Sequence, residues 1–145
     1  HILVSKSIKK LNDAGVKVNM GAHGQIQGIG AHWEIWMLTQ GGMTPLEALK
    51  AATINPAINL GLDNWIGSLQ PGKLADLLIM DKNPLDNIYN TESLHYTMIN
   101  GRLYDSETMN EISGDRTIPR NKFYWELNRN AETFPWHTEA VELGD

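Results

Sequence analysis

The chain has 145 residues, 41% hydrophobic and 20% charged, which is enough apolar material for one core and too little bias for global disorder. A formal net charge of -5, with no clustered Lys or Arg surface, argues against nucleic acid as a partner. Cysteine is absent, which removes disulfides, thiolate metal sites and cysteine nucleophiles and leaves the cellular compartment undetermined.

The opening His1-Ile2-Leu3-Val4 runs into the polar stretch from Ser5 to Lys10. It is too short and too polar for a signal or a membrane span, and it reads as an entry partway through a longer protein. Ile2, Leu3, Ile8 and Leu11, at helical spacing among Lys6, Lys9 and Lys10, predict an amphipathic helix that stops at Asn12-Asp13-Ala14-Gly15. Val16 to Met20 alternates apolar and polar residues and predicts a short strand entering the loop Gly21-Ala22-His23-Gly24. Gly24, Gly28 and Gly30 suit the next segment either to bordering a ligand cleft or to a plain connection. A second helix is expected from Ala31 to Gln40, ended by Gly41-Gly42, with Trp33 and Trp36 in the core.

Thr44-Pro45-Leu46-Glu47 is a helix start: Thr44 caps, Pro45 suits the first helical position, and Glu47 reaches back as a capping box. Leu46, Leu49, Ala52 and Thr53 form the expected buried stripe, and Asn55-Pro56 interrupts it and restarts a short helix that Gly61 closes. From Ile66 the pattern turns to β-structure. Gly67 to Lys73 is turn chemistry, Leu74 to Asp81 is a strand pattern, and Asn100-Gly101 between apolar runs predicts a hairpin. After Asp105 periodicity fades into an irregular connection, Lys122 to Glu126 holds an aromatic cluster, and the acidic end from Glu139 to Asp145 is expected to be loosely ordered.

Several of these runs together resemble a known family. Gly42-Met43-Thr44-Pro45-Leu46-Glu47-Ala48-Leu49, then Ala52-Thr53-Ile54-Asn55-Pro56-Ala57 and Leu60-Gly61-Leu62, are similar to the closing helices of the amidohydrolase superfamily. Ile66 to Leu77, Asn83-Pro84-Leu85 and the hairpin ending Ile99-Asn100-Gly101-Arg102 resemble the return of such a chain into its composite β-sandwich. The likeness is to the imidazolonepropionase-like and prolidase-like branch, and it covers about residues 3–105. It implies an α/β fold: the last βα segment of a metal-dependent hydrolase TIM barrel plus part of a composite β-sandwich. The chain falls short of the roughly 250 residues of a complete barrel, so the implied division is barrel piece 1–62, sandwich segment 63–105 and extension 106–145.

The resemblance also implies a function: hydrolysis of an amide, cyclic amide or related C–N bond in a small molecule by water activated on a divalent metal, zinc being the expected ion. Most of the family's ligands, a His-x-His pair and the middle-strand Lys or Glu and His residues, would lie before residue 1. The isolated chain is therefore expected to hold no metal or an incomplete site, to be catalytically silent and to associate with itself. The last-strand motif should read Gly-Thr-Asp, the Asp touching metal and acting as general base; this chain has Gly21-Ala22-His23. His23 is thus the candidate catalytic and metal residue, since imidazole can ligate zinc and accept a proton, and the alternative for it is a hydrogen-bonded loop histidine. Gln25 and His32 are candidate substrate contacts, each weighed against a plainer role: a solvated loop side chain for Gln25, capping or packing for His32. His32 and Glu34 fall on different helix faces, and His95 and His137 lack partners at ligand spacing. The competing function is a non-catalytic binding or oligomerising module of the same ancestry.

Overall fold

The computed structural model describes residues 1–23 and 26–121. Four helices form one layer and a five-stranded antiparallel sheet follows them in sequence. Helix α1 (Ile2–Asp13) ends where its composition predicts, with Gly15 at φ 88° in the left-handed region. Its docking face is not the expected apolar stripe. His1 Nε2 lies 2.8 Å from Gln40 Oε1, Ser5 is buried, Ile8 packs on the core, and Asn12 donates to Glu47 Oε1 at 3.0 Å. These positions recur at helical spacing, so Ile2, Leu3 and Leu11 are left on exposed faces. The cause sits at Gly41, where a Cβ would stand 2.4 Å from the carbonyl carbon of Ser5. The helices cross so closely that the contact takes small residues.

Helix α2 (Ile29–Gln40) runs through the middle of the layer and buries Ile35 and Leu38. Trp36 packs against the core as expected, whereas Trp33 is exposed. In helix α3 (Pro45–Ala52) the predicted capping box is complete: Glu47 N donates to Thr44 Oγ1 at 3.3 Å and Thr44 N donates to Glu47 Oε2 at 2.7 Å. Its buried stripe is turned from the expected one. Ala48 and Ala51 are buried beside Met43, while Leu46 and Thr53 are exposed. The two alanines let α3 lie close against α2, and larger side chains fall to the flanks. Thr53 breaks the helix at φ -129° and ψ -87°, and helix α4 (Ile54–Asn59) follows, closed by Gly61 at φ 70°.

The strands are β1 (Leu77–Met80), β2 (Leu94–Ile99), β3 (Arg102–Asp105), β4 (Glu111–Ser113) and β5 (Arg116–Ile118), paired in sequence order. The predicted hairpin is present, with Ile99 opposite Arg102 and both Asn100 (φ 51°) and Gly101 (φ 79°) left-handed, as a type I′ turn demands. The turn is tied down by the chain before β1: Asn100 N donates to the Asp76 carboxylate at 2.6 Å and Gly101 N to Ala75 O at 3.1 Å. Past Asp105 the sheet continues through β4 and β5, where the sequence suggested an irregular connection. Strands of three residues are too short for alternation to show.

No strand residue is fully buried, so the core belongs to the helices: Ile35, Leu38, Met43, Ala48 and Ala51, joined by Ile88. Ile88 lies in a 3-10 helix (Ile88–Glu92) that is the joint between sheet and helices. There Trp36 Nε1 donates to Thr91 Oγ1 at 3.0 Å, Thr91 is 2% exposed, and the Trp36 and Tyr89 rings sit 4.8 Å apart. The expected strand over Val16 to Met20 has no ladder among the described residues. A barrel strand takes its hydrogen bonds from strands on either side, and here the backbone of this segment bonds to helices instead. The aromatic cluster of Lys122 to Glu126 and the acidic end lie outside the described residues.

Thr91→Val leaves the buried indole N–H of Trp36 without an acceptor, and thermal or urea unfolding should register a loss of about 1–3 kcal/mol; an unchanged midpoint would show that the joint does not depend on this bond. The Thr44 backbone N–H, followed by the Thr44 hydroxyl, holds the Glu47 carboxyl below its usual range despite partial burial. A lowered folded value contributes stability above the ordinary value of 4.5 that is lost as pH falls through the folded one. The stability gap between the wild type and Glu47→Ala should therefore shrink on acidification, and a gap that persists undiminished in strong acid would contradict this.

Candidate functional site

The segment from Val16 to Gly21 is gripped by three helices. Met20 N donates to Ala51 O of α3 at 2.8 Å, Asn55 Nδ2 of α4 donates to Val18 O at 2.9 Å, and Gly21 N donates to both carboxylate oxygens of Glu34 in α2, each at 3.0 Å. Val18 and Met20 also pack against the helical core. The extended geometry the sequence suggested is thus held from the side by helix groups, and it delivers the chain to a fixed point at Gly21.

His23 follows two residues later. It is exposed and sits at φ 58°, a left-handed conformation that costs a side chain about 1–2 kcal/mol and is held only by its surroundings. Its imidazole makes no hydrogen bond or ion pair among the described residues, which leaves both ring nitrogens open. Gln25 lies outside the described residues. His32 stands in the first turns of α2, its Nδ1 buried without a hydrogen-bond partner and its ring centroid 6.3 Å from that of Trp36. With Nδ1 closed off, a polar contact from His32 to a bound molecule falls to Nε2. No hydrogen bond joins His23 to His32 among the described residues.

Among the described residues no group of three or more His, Cys, Asp or Glu side chains is placed to hold a metal ion. A catalytic zinc takes about three protein ligands, and this donor set does not supply them. The remaining histidines are engaged elsewhere: His1 with Gln40, and His95 Nδ1 with Asp81 Oδ1 at 2.8 Å on the sheet; His137 lies outside the described residues. A cleft of about 410 Å³ opens between α4 and the turn 63–73. It is lined by Asp63, Asn64, Ser68, Gln70 and Lys73, and by none of the loop residues. Lys73 is engaged there in holding the turn, donating to Ser68 Oγ at 2.6 Å and to the carbonyls of Ile66 and Asp63.

Glu34 is the contact that sequence reasoning missed. It was set aside because its helix face differs from that of His32, and a bond spanning 13 residues leaves no local spacing to read. A signal was present nonetheless: Glu34 is the one Asp, Glu, Lys or Arg in α2, and such a residue on a packed helix needs a partner. Replacing His23 by glycine removes the left-handed penalty, so His23→Gly should raise stability by about 1 kcal/mol. Chemical denaturation measures it, and a destabilised variant would mean that the imidazole makes a supporting contact.

Comparison with known proteins adds a second line. The sequence profile described as "Amidohydrolase family" matches residues 4–104. Imidazolonepropionase of Geobacillus kaustophilus (strain HTA426) is 58% identical over 40 residues, 28% of this chain and 9% of that protein. Ochratoxinase of Aspergillus niger is 38% identical over 76 residues, 52% of this chain and 16% of that protein. The crystal structure of a Xaa-Pro dipeptidase with methionine bound in its active site superposes with a TM-score of 0.64 at 30% identity, covering 71% of this chain and 26% of that one. The chain thus spans a small part of the proteins it matches.

Proposed function

The chain belongs to the amidohydrolase family and is related to hydrolases acting on C–N bonds, and from that premise we propose that it is the C-terminal segment of a metal-dependent hydrolase of small molecules. The reaction is cleavage of an amide, cyclic amide or related C–N bond. The observation that carries this reading is the shared architecture: the chain superposes on the Xaa-Pro dipeptidase with a TM-score of 0.64 over 71% of its length.

In this reading Val16 to Met20 is the last barrel strand, residues 1–62 belong to the barrel, residues 63–105 build the composite sheet, and residues from 106 onward are an extension. His23 is the working side chain, a metal ligand or proton acceptor toward the attacking water, with Gln25 and His32 on the substrate. The described residues do not fit a divalent ion by themselves, so the ion, zinc in our reading, takes its other ligands from outside this segment. What this chain supplies is positional. Gly21 is fixed by Glu34, Met20 by Ala51, and His23 follows the fixed end with its imidazole making no hydrogen bond among the described residues.

A second reading, a binding or self-associating module, is favoured by a different observation. Leu3 is 80% and Val4 63% exposed on α1, and exposed apolar groups of this size drive association. The two readings share an ancestry and separate on turnover.

The test compares the 145-residue chain with the longer protein in which we place it, using a panel of dipeptide, N-acyl amino acid and cyclic amide substrates. The expected result is turnover by the longer protein, its loss with a chelator, a drop of about 100-fold or more for His23→Asn, and no turnover by the short chain. Hydrolysis by the short chain alone, or an indifferent His23→Asn variant, would overturn the assignment. Light scattering on the short chain decides self-association, and a monomer at all concentrations would remove the second reading.

A further inference from the structure

Glu34 lies five residues into a helix that is otherwise uncharged, and it pairs with no Lys or Arg among the described residues. Its carboxylate is turned onto the backbone, with both oxygens 3.0 Å from the N–H of Gly21. Beyond it, Ala22 and His23 donate no backbone hydrogen bond among the described residues, and His23 adopts a left-handed backbone that its own preferences disfavour. The Glu34 bond is therefore the last restraint before the exposed imidazole.

From this we infer that Glu34 is a positioning residue: by anchoring the Gly21 amide it fixes the end of the extended segment, and so fixes where the His23 imidazole stands relative to the helical framework. The inference deepens the function proposed above and rests on it only for the part His23 plays in turnover; the anchoring itself stands on geometry. The acceptor, not the negative charge, is what the geometry uses. Glutamine at this position keeps an oxygen that can accept the same N–H, whereas leucine keeps the volume and removes the acceptor.

The experiment uses Glu34→Gln and Glu34→Leu in the 145-residue chain and in the longer protein. In the short chain, amide hydrogen exchange at Gly21 and the 15N relaxation of Ala22 and His23 are read by NMR. Glu34→Leu should speed Gly21 exchange about tenfold or more and loosen His23 on the sub-nanosecond scale, and Glu34→Gln should restore most of both. In the longer protein, Glu34→Leu should lower kcat with little change in KM, and Glu34→Gln should recover it. Unchanged Gly21 exchange in Glu34→Leu would overturn the anchor. Faster exchange with His23 relaxation unaltered would overturn positioning. A failure of Glu34→Gln to rescue would show that charge, not the acceptor, is the working feature, and would equally overturn the inference. Lost protection in the variants, beside a longer wild-type protein that hydrolyses nothing, would sink the functional reading and leave the anchor standing.

Discussion

Helix α2 sets the constraint from which the rest of the structure follows. It buries Ile35 and Leu38 and packs Trp36 against the core, so it has to be covered from several directions. Helix α1 covers one flank through the close crossing of Ser5 and Gly41, α3 covers another through Ala48 and Ala51, and the 3-10 helix closes a third with Ile88 and Thr91. Small residues at the crossings bring backbones near enough for the larger ones, Ile35, Leu38 and Met43, to interlock at native density. The sheet has no comparable core. It is held to the helices by the Trp36 contacts and through its own ladder.

The same helix organises the candidate site. Its interior end meets the core, while its first turns carry His32 and Glu34 beside the extended segment that ends at Gly21. A rigid element thus holds the chain at Gly21, two residues before His23, the usual division between scaffold and site.

Local signals were the ones the sequence carried well. The capping box at Thr44, the stop at Gly15 and the Asn100-Gly101 hairpin are each decided within a few residues by backbone donors and positive φ, and each stands where expected. What depended on packing partners was less legible. Which face of α1 and α3 turns inward was decided by a close approach between Ser5 and Gly41 and by two alanines, not by the largest apolar residues. The strands β4 and β5 were too short to announce themselves. At the site, the position of His23 after a glycine was readable, whereas its left-handed backbone and the grip of Glu34 on Gly21 arise from chain segments meeting in space.

The order of the sheet carries one more consequence, for how the chain reaches this state. Every strand pairs with the one before it in sequence, so the ladders from β2 to β5 close over short turns at little entropic cost, and the sheet can grow from the Asn100-Gly101 turn outward, with β1 added across the longer connection that holds the 3-10 helix. The bond from Trp36 to Thr91 spans 55 residues and can form only when both halves have largely taken shape. The joint between helices and sheet is thus the high-contact-order step of folding.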